Sequence, residues 1–176
     1  MKYLLVSDIH GSFESATILI DKFIGNNCDK IAILGDILYH GPRNDLPQFY
    51  NPKKVIELLN QYSDNIIAVK GNCDAEVDQM VLNFKINDDY ILNKNIYLTH
   101  GHHINYQNPL KNKDIKVVLY GHSHIIRKDI VEDKVYINLG SITIPKENCK
   151  RCYGILENNT IYIYDIEDNL LLLVEI

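Results

Sequence analysis

Metal-ligating side chains recur through this 176-residue sequence in short clusters, each placed directly after an apolar run. Val117-Val118-Leu119-Tyr120 is followed by Gly121-His122-Ser123-His124, whose two imidazoles alternate along the chain. Tyr3-Leu4-Leu5-Val6-Ser7 runs into Asp8-Ile9-His10-Gly11, and Ile31-Ala32-Ile33-Leu34 into Gly35-Asp36. Ile66-Ile67-Ala68-Val69-Lys70 leads to Gly71-Asn72-Cys73-Asp74, and Ile96-Tyr97-Leu98-Thr99 to His100-Gly101-His102. One Gly-His-x-His sequence is commonly a pair of ordinary surface histidines. Five clusters with the same grammar predict strand ends that converge on one metal site, because a rigid strand end can aim an imidazole or carboxylate at a shared ion.

The elements that must position these groups follow from the pattern between them. Short apolar runs bounded by Gly, Asn and Asp read as buried strands, and in open α/β sheets sites lie at the carboxyl ends of such strands. After the first run, Ser12 is a candidate N-cap. Phe13, Ala16, Leu19, Ile20, Phe23 and Ile24 then repeat at helical spacing until Gly25-Asn26-Asn27. From Asp36 to Lys53 the chain reads as a long loop with breakers at Gly41-Pro42 and Asn51-Pro52. Pro52 suits the first turn of a helix through Val55, Ile56, Leu58 and Leu59 that ends near Ser63-Asp64-Asn65. Asp74 opens a short helical segment through Met80, and residues 89–92 and 95–99 read as a hairpin around Asn93-Lys94. A loop from Gly101 to Asp114 precedes the strand before Gly121. Beyond it, residues 125–131, 135–139, 153–156, 160–164 and 170–174 read as short strands. The first half is thus βαβαβ-like and the second mostly a β-meander, which predicts two facing sheets with helices outside.

Asp8-x-His10, Gly35-Asp36, Gly71-Asn72-x-Asp74, His100 after a strand and Gly121-His122-x-His124 resemble, in order and number, the five motifs of the calcineurin-like metallophosphoesterase superfamily. Asp36 to Asn44, Gly71 to Met80 and Gly140 to Lys146 are similar to its bacterial YfcE-type phosphodiesterases. The resemblance implies an α/β fold, a four-layer α/β/β/α sandwich of two facing mixed sheets, as a single domain over residues 1–176. It implies two divalent metal ions, with Asp8, His10 and His124 on one, Asn72, His100 and His122 on the other, and Asp36 bridging. Mixed nitrogen and oxygen donors suit manganese first, or iron or zinc, better than calcium or magnesium. A shared carboxylate holds two cations ~3.5–4 Å apart, and the implied reaction is hydrolysis of a small phosphodiester by in-line attack of a metal-bridging hydroxide. Asp36, Asn72, His100 and His122 are the expected catalytic residues.

Cys73 departs from the broader superfamily, where a histidine at this place is thought to protonate the leaving group, although YfcE-type enzymes share the cysteine. A thiol with a reference pKa of about 8.5 is a poor general acid, and a small buried filler is the simpler role. Asp74 either orients a ligand or substrate group or N-caps the following helix. His102 is expected at the open side of the second ion. Arg43 is a candidate phosphate clamp, with a solvated loop charge as the alternative. Arg43, Cys73, Asp74 and His102 are therefore the expected substrate contacts.

The formal net charge of −5 disfavours nonspecific binding to nucleic acid or anionic membranes, and no Lys/Arg-rich arm is present. No apolar run is long enough to span a bilayer, and Met1-Lys2-Tyr3-Leu4-Leu5-Val6 is too short before Asp8 to be a secretory core. Cys28, Cys73, Cys149 and Cys152 are too scattered for a disulfide framework, so a reducing cytoplasm is expected. Cys149-x-x-Cys152 has half the ligands of a zinc site and no second pair. Two other functions fit the same fold. A non-catalytic protein-binding scaffold would be expected to lose ligands, and a nucleotide- or nucleic-acid-directed hydrolase sits poorly with the acidic balance. The expected partner is a small-molecule phosphodiester, and exposed strand edges leave self-association to a homo-oligomer open.

Overall fold

The computed structural model describes residues 1–176. In chain order its elements begin with β1 (Tyr3–Val6), α1 (Phe13–Gly25), β2 (Lys30–Ile33), α2 (Pro52–Asn60), β3 (Ile66–Val69) and α3 (Glu76–Val81). They continue with β4 (Ile86–Asn87), β5 (Tyr90–Leu92), β6 (Ile96–Leu98), β7 (Val117–Tyr120), β8 (Ile126–Val131) and β9 (Lys134–Leu139). β10 (Cys152–Glu157), β11 (Thr160–Asp165) and β12 (Leu170–Glu175) complete the chain.

Two mixed sheets result. The first has strand order β12-β11-β10-β1-β2-β3-β4, in which β1 to β4 run parallel and β10 to β12 are antiparallel. The second has order β5-β6-β7-β9-β8, with β6, β7 and β9 parallel. Strands apolar on both faces must be covered on both faces. On β1, Leu4 and Val6 pack beneath α1 and α2, while Tyr3 and Leu5 point the other way, into a core shared with Leu98, Leu119 and Ile137 of the second sheet. Each such side chain contributes roughly 1.5–3 kcal/mol when fully buried, which makes the strand ends rigid supports.

Caps fix the helices where the sequence places them. Ser12 accepts from Ser15 N at 3.3 Å and Asn51 from Lys54 N at 3.2 Å, with Pro52 in the first turn of α2. The hairpin between β5 and β6 turns at Asn93 and Lys94, both at positive φ, and Asn95 N donates to the Leu92 carbonyl at 3.3 Å. One feature differs from expectation. The later strands are not one meander: the β8–β9 hairpin stays in the second sheet, with β9 parallel to β7, and β10 to β12 cross to the first. On the outer face of the second sheet, Val118, Tyr120 and Tyr136 are covered by Ile104, Tyr106 and Leu110 of the segment 99–116, which is irregular, in keeping with the loop expected there.

Candidate metal centre

β1, β2 and β3 of the first sheet and β6 and β7 of the second release their chains at one edge of the sandwich, and each turn there carries one of the five clusters. The backbone is held in an unusual state. Five of the seven expected ligands adopt left-handed φ: Asp8 (+59°), His10 (+50°), Asp36 (+56°), His122 (+68°) and His124 (+60°). Such conformations cost about 1–3 kcal/mol each and persist only where the surroundings over-determine them. Two glycines allow the close approach. A Cβ on Gly71 would fall onto the Asp36 carboxylate, and one on Gly121 would fall onto Ser7 Oγ and the Asp8 carboxylate.

Backbone carbonyls aim three of the four imidazoles. Nδ1 of His10 donates to the Tyr39 carbonyl at 2.8 Å, that of His100 to Leu34 at 2.6 Å and that of His124 to Ile144 at 2.8 Å. A carbonyl can only accept, so the neutral ring keeps its proton on Nδ1 and presents an Nε2 lone pair inward. His122 differs, turning Nδ1 toward His100 Nε2 at 3.3 Å.

The inward atoms form two lobes. In the first, Asp8 Oδ1 lies 3.5 Å from His10 Nε2 and 3.2 Å from His124 Nε2, and the two nitrogens are 3.3 Å apart. In the second, His100 Nε2 lies 3.1 Å from Asn72 Oδ1. Asp36 Oδ2 stands between them, 3.3 Å from His100 Nε2 and 3.7 Å from His10 Nε2, while Asp36 Oδ1 accepts the Cys73 N–H at 2.8 Å. Asp8 Oδ2 accepts from Ser7 Oγ at 2.6 Å and His122 N at 3.1 Å, yet Asp8 Oδ1 is buried with no hydrogen-bond partner. An orphaned buried carboxylate oxygen facing two imidazole lone pairs fits a divalent cation, which supplies the positive charge that burial otherwise lacks.

Titration follows the same arrangement. Burial alone would raise the Asp8 carboxyl, but the His10 and His124 rings more than offset it and hold it below the usual range. Burial alone would lower His100, and the carboxylates of Asp36 and Asp8 instead carry it up to about 9. Protons and cations therefore compete for the same inward lone pairs.

The expected substrate contacts separate. Arg43 and Cys73 line a cavity of about 710 Å³ that opens on Asp36, Asn72, His122 and His124. The Cys73 thiol is pushed up to about 12, first by burial and then by the Asp36 carboxylate, so it holds its proton at neutral pH. Asp74 also borders the cavity, but its oxygens are engaged. Oδ2 accepts from Asp36 N at 2.8 Å and Gly71 N at 2.7 Å, and Oδ1 from Ile37 N at 2.7 Å. It thus orients a ligand loop. The alternative N-cap role does not hold, since α3 starts at Glu76 and Asp78 Oδ2 accepts from Ala75 N at 2.8 Å. His102 does not border the cavity; its ring packs 4.0 Å from that of His103, and its Nδ1 is buried without a partner.

Lys146 and Tyr39 also line the cavity and were not among the expected contacts. A signal for Lys146 was present. β9 is a sixth apolar strand, parallel to β6 and β7, whose end at Gly140-Ser141 leads into the segment that carries Ile144 and Lys146.

The calcineurin-like phosphoesterase superfamily domain matches residues 1–160 of the chain. Phosphodiesterase YfcE of Escherichia coli strain K12 is 40% identical over 173 residues, covering 96% of this chain and 94% of that protein. The probable metallophosphoesterase YsnB of Bacillus subtilis is 35% identical over 96% of this chain and 94% of its own. The solved structure of the E. coli phosphoesterase YfcE superposes with a TM-score of 0.92 at 38% identity over 99% of both chains. Vps29 of Entamoeba histolytica, at 19% identity and a TM-score of 0.64, shares the fold alone. Shared-carboxylate geometry, two mixed sheets and similarity over nearly the whole length converge: this chain belongs to the calcineurin-like phosphoesterase superfamily, alongside the bacterial YfcE proteins.

Proposed function

We propose that the chain is a metal-dependent phosphodiesterase that hydrolyses a small phosphodiester. The observation that carries this reading is the Asp36 carboxylate, whose Oδ2 faces an imidazole of each lobe at 3.3 and 3.7 Å. One divalent ion would be held by Asp8, His10 and His124 and the other by Asn72, His100 and His122, with Asp36 shared; manganese suits these donors first, iron or zinc otherwise. When bound, such a pair supplies Lewis-acid activation of water and of the phosphoryl group. The chain's own residues do the positioning. Leu34, Tyr39 and Ile144 carbonyls fix three rings, and Asp74 fixes the loop that bears Asp36. The phosphodiesterase named at 40% identity supports the same reaction class.

The Cys73 thiol, at the place where the broader superfamily carries a histidine, gives up its proton reluctantly and is a poor general acid. Diesters with leaving groups that depart unaided are therefore the best substrates. We read residues 1–176 as one domain working in a reducing compartment such as the cytoplasm; the four free thiols support this, and no helix is long and apolar enough to cross a membrane.

Manganese-loaded protein is expected to cleave bis(4-nitrophenyl) phosphate in preference to 4-nitrophenyl phosphate. Asp36→Asn should lower that turnover by more than about 10²-fold and reduce bound metal measured by elemental analysis. Wild-type turnover in the variant would overturn the reading.

A further inference from the structure

The cavity over the metal-ligating residues carries two cationic side chains. Arg43 and Lys146 are the only Lys or Arg residues among those lining it, both are exposed, and neither makes an ion pair within the chain. The same lining holds two carboxylates, but Asp36 faces the imidazoles and Asp74 is taken up by backbone N–H groups, so the two cations are left without a partner toward the open cavity and favour an anion.

Their placement is not loose. Arg43 stands four residues after Tyr39, whose carbonyl receives the His10 ring, and Asn44 Nδ2 donates to the His40 carbonyl at 2.8 Å, closing the turn between them. Lys146 stands two residues after Ile144, whose carbonyl receives the His124 ring, and Lys146 N donates to the His124 carbonyl at 3.0 Å. Both cations thus hang from the two segments that lock His10 and His124. No cation borders the cavity from the segments that carry Asn72, His100 and His122.

Two divalent ions against the carboxylates of Asp8, Asp36 and Asp74, with Arg43 and Lys146 added, leave more positive charge than the single charge of a diester neutralises. Building on the diesterase reading, we propose that the substrate carries a second anionic group, a phosphate or carboxylate on its organic part. Arg43 and Lys146 grip that group and orient the diester. Arg43 offers a planar fork to such an oxyanion and Lys146 a point charge, a pairing that tolerates either a phosphate or a carboxylate.

The test compares two esters that differ only in that group: thymidine 5′-(4-nitrophenyl phosphate) with and without a 3′-phosphate. With manganese-loaded protein, the 3′-phosphate is expected to raise kcat/KM by about tenfold or more through a lower KM, an advantage that shrinks as salt is added. In the Arg43→Gln/Lys146→Gln double variant the ratio between the two esters should fall to within about twofold of unity. Equal kcat/KM for the pair in the wild type, or an advantage that survives in the double variant, overturns the proposal. Calorimetry with thymidine 3′,5′-bisphosphate against thymidine 5′-monophosphate reads the same difference without turnover. If the wild type cleaves neither ester, the diesterase reading falls, and the calorimetric pair still decides whether the two cations hold a second anion. A preference for the bisphosphate of about tenfold in the wild type that is absent from the double variant supports the proposal; no preference refutes it.

Discussion

At the level of single residues, the centre depends on groups that touch no ion. Asp74 shows this most directly: its carboxylate is buried and receives three backbone N–H donors, from Asp36, Ile37 and Gly71. Burial raises its pKa, while the N–H donors pull the other way and suit the ionised form. In Asp74→Asn one acceptor oxygen becomes an NH₂ that faces a backbone donor. Leaving a buried group unsatisfied costs about 1–3 kcal/mol, and the loop that bears Asp36 loses its tie. The variant should therefore be less stable by about that amount in urea and should bind manganese more weakly in a direct titration. Unchanged manganese affinity in a folded variant would remove Asp74 from the positioning of Asp36. The convergence of the seven side chains expected as ligands was readable in the sequence because strand-terminal imidazoles and carboxylates are uncommon and recur in one grammar. Asp74's role as an acceptor was not, because it depends on backbone donors brought together by tertiary packing.

Among the elements, β1 to β3 and β6 to β7 could be read from their apolar runs, but which sheet the later strands join could not. β9 and β10 are each buried at five of six positions, yet one continues the second sheet and the other crosses to the first. Local pattern records burial and not the neighbour. The β11–β12 turn is held by a device of its own. Asp165, at the end of β11, accepts from Lys150 Nζ at 2.7 Å, Asn169 N at 2.8 Å and Glu167 N at 3.0 Å. Lys150, then the Asn169 donors, hold the Asp165 carboxyl below the usual range. A carboxyl depressed in the folded state stabilises the fold at pH values above its unfolded value of about 3.9, and that contribution is lost as pH falls toward the folded value. Asp165→Asn should thus melt below the wild type at pH 6, and the gap should narrow steadily below pH 4. A gap that stays constant across that range would mean that the turn draws on Asp165 for shape and not for charge.

Across the whole molecule, the candidate centre joins the two sheets. Asp8, His10, Asp36 and Asn72 follow strands of the first, His100, His122 and His124 follow strands of the second, and the apolar layer between them contains no other charged bridge of this kind. The inward atoms are mostly acceptors, and Asp8 Oδ1 has no partner of its own. Without a cation, burial penalises these groups at the edge where the sheets meet; with one, the same groups brace the sheets against each other. A ligand bound only by the folded state stabilises it by about 2.7 kcal/mol at a hundredfold excess over its Kd. For a chain of this size that is a rise in Tm of about 5–10 °C. Thermal melts of chelator-treated protein should therefore begin earlier, and manganese added back should restore the transition, with magnesium less effective because it prefers oxygen donors. Asp36→Asn, which removes a charge facing both lobes, should lose most of this rise. Equal melting with and without manganese would mean that the seven donors bind no ion tightly in the folded chain, and that the left-handed conformations of Asp8, His10, Asp36, His122 and His124 are sustained by packing alone.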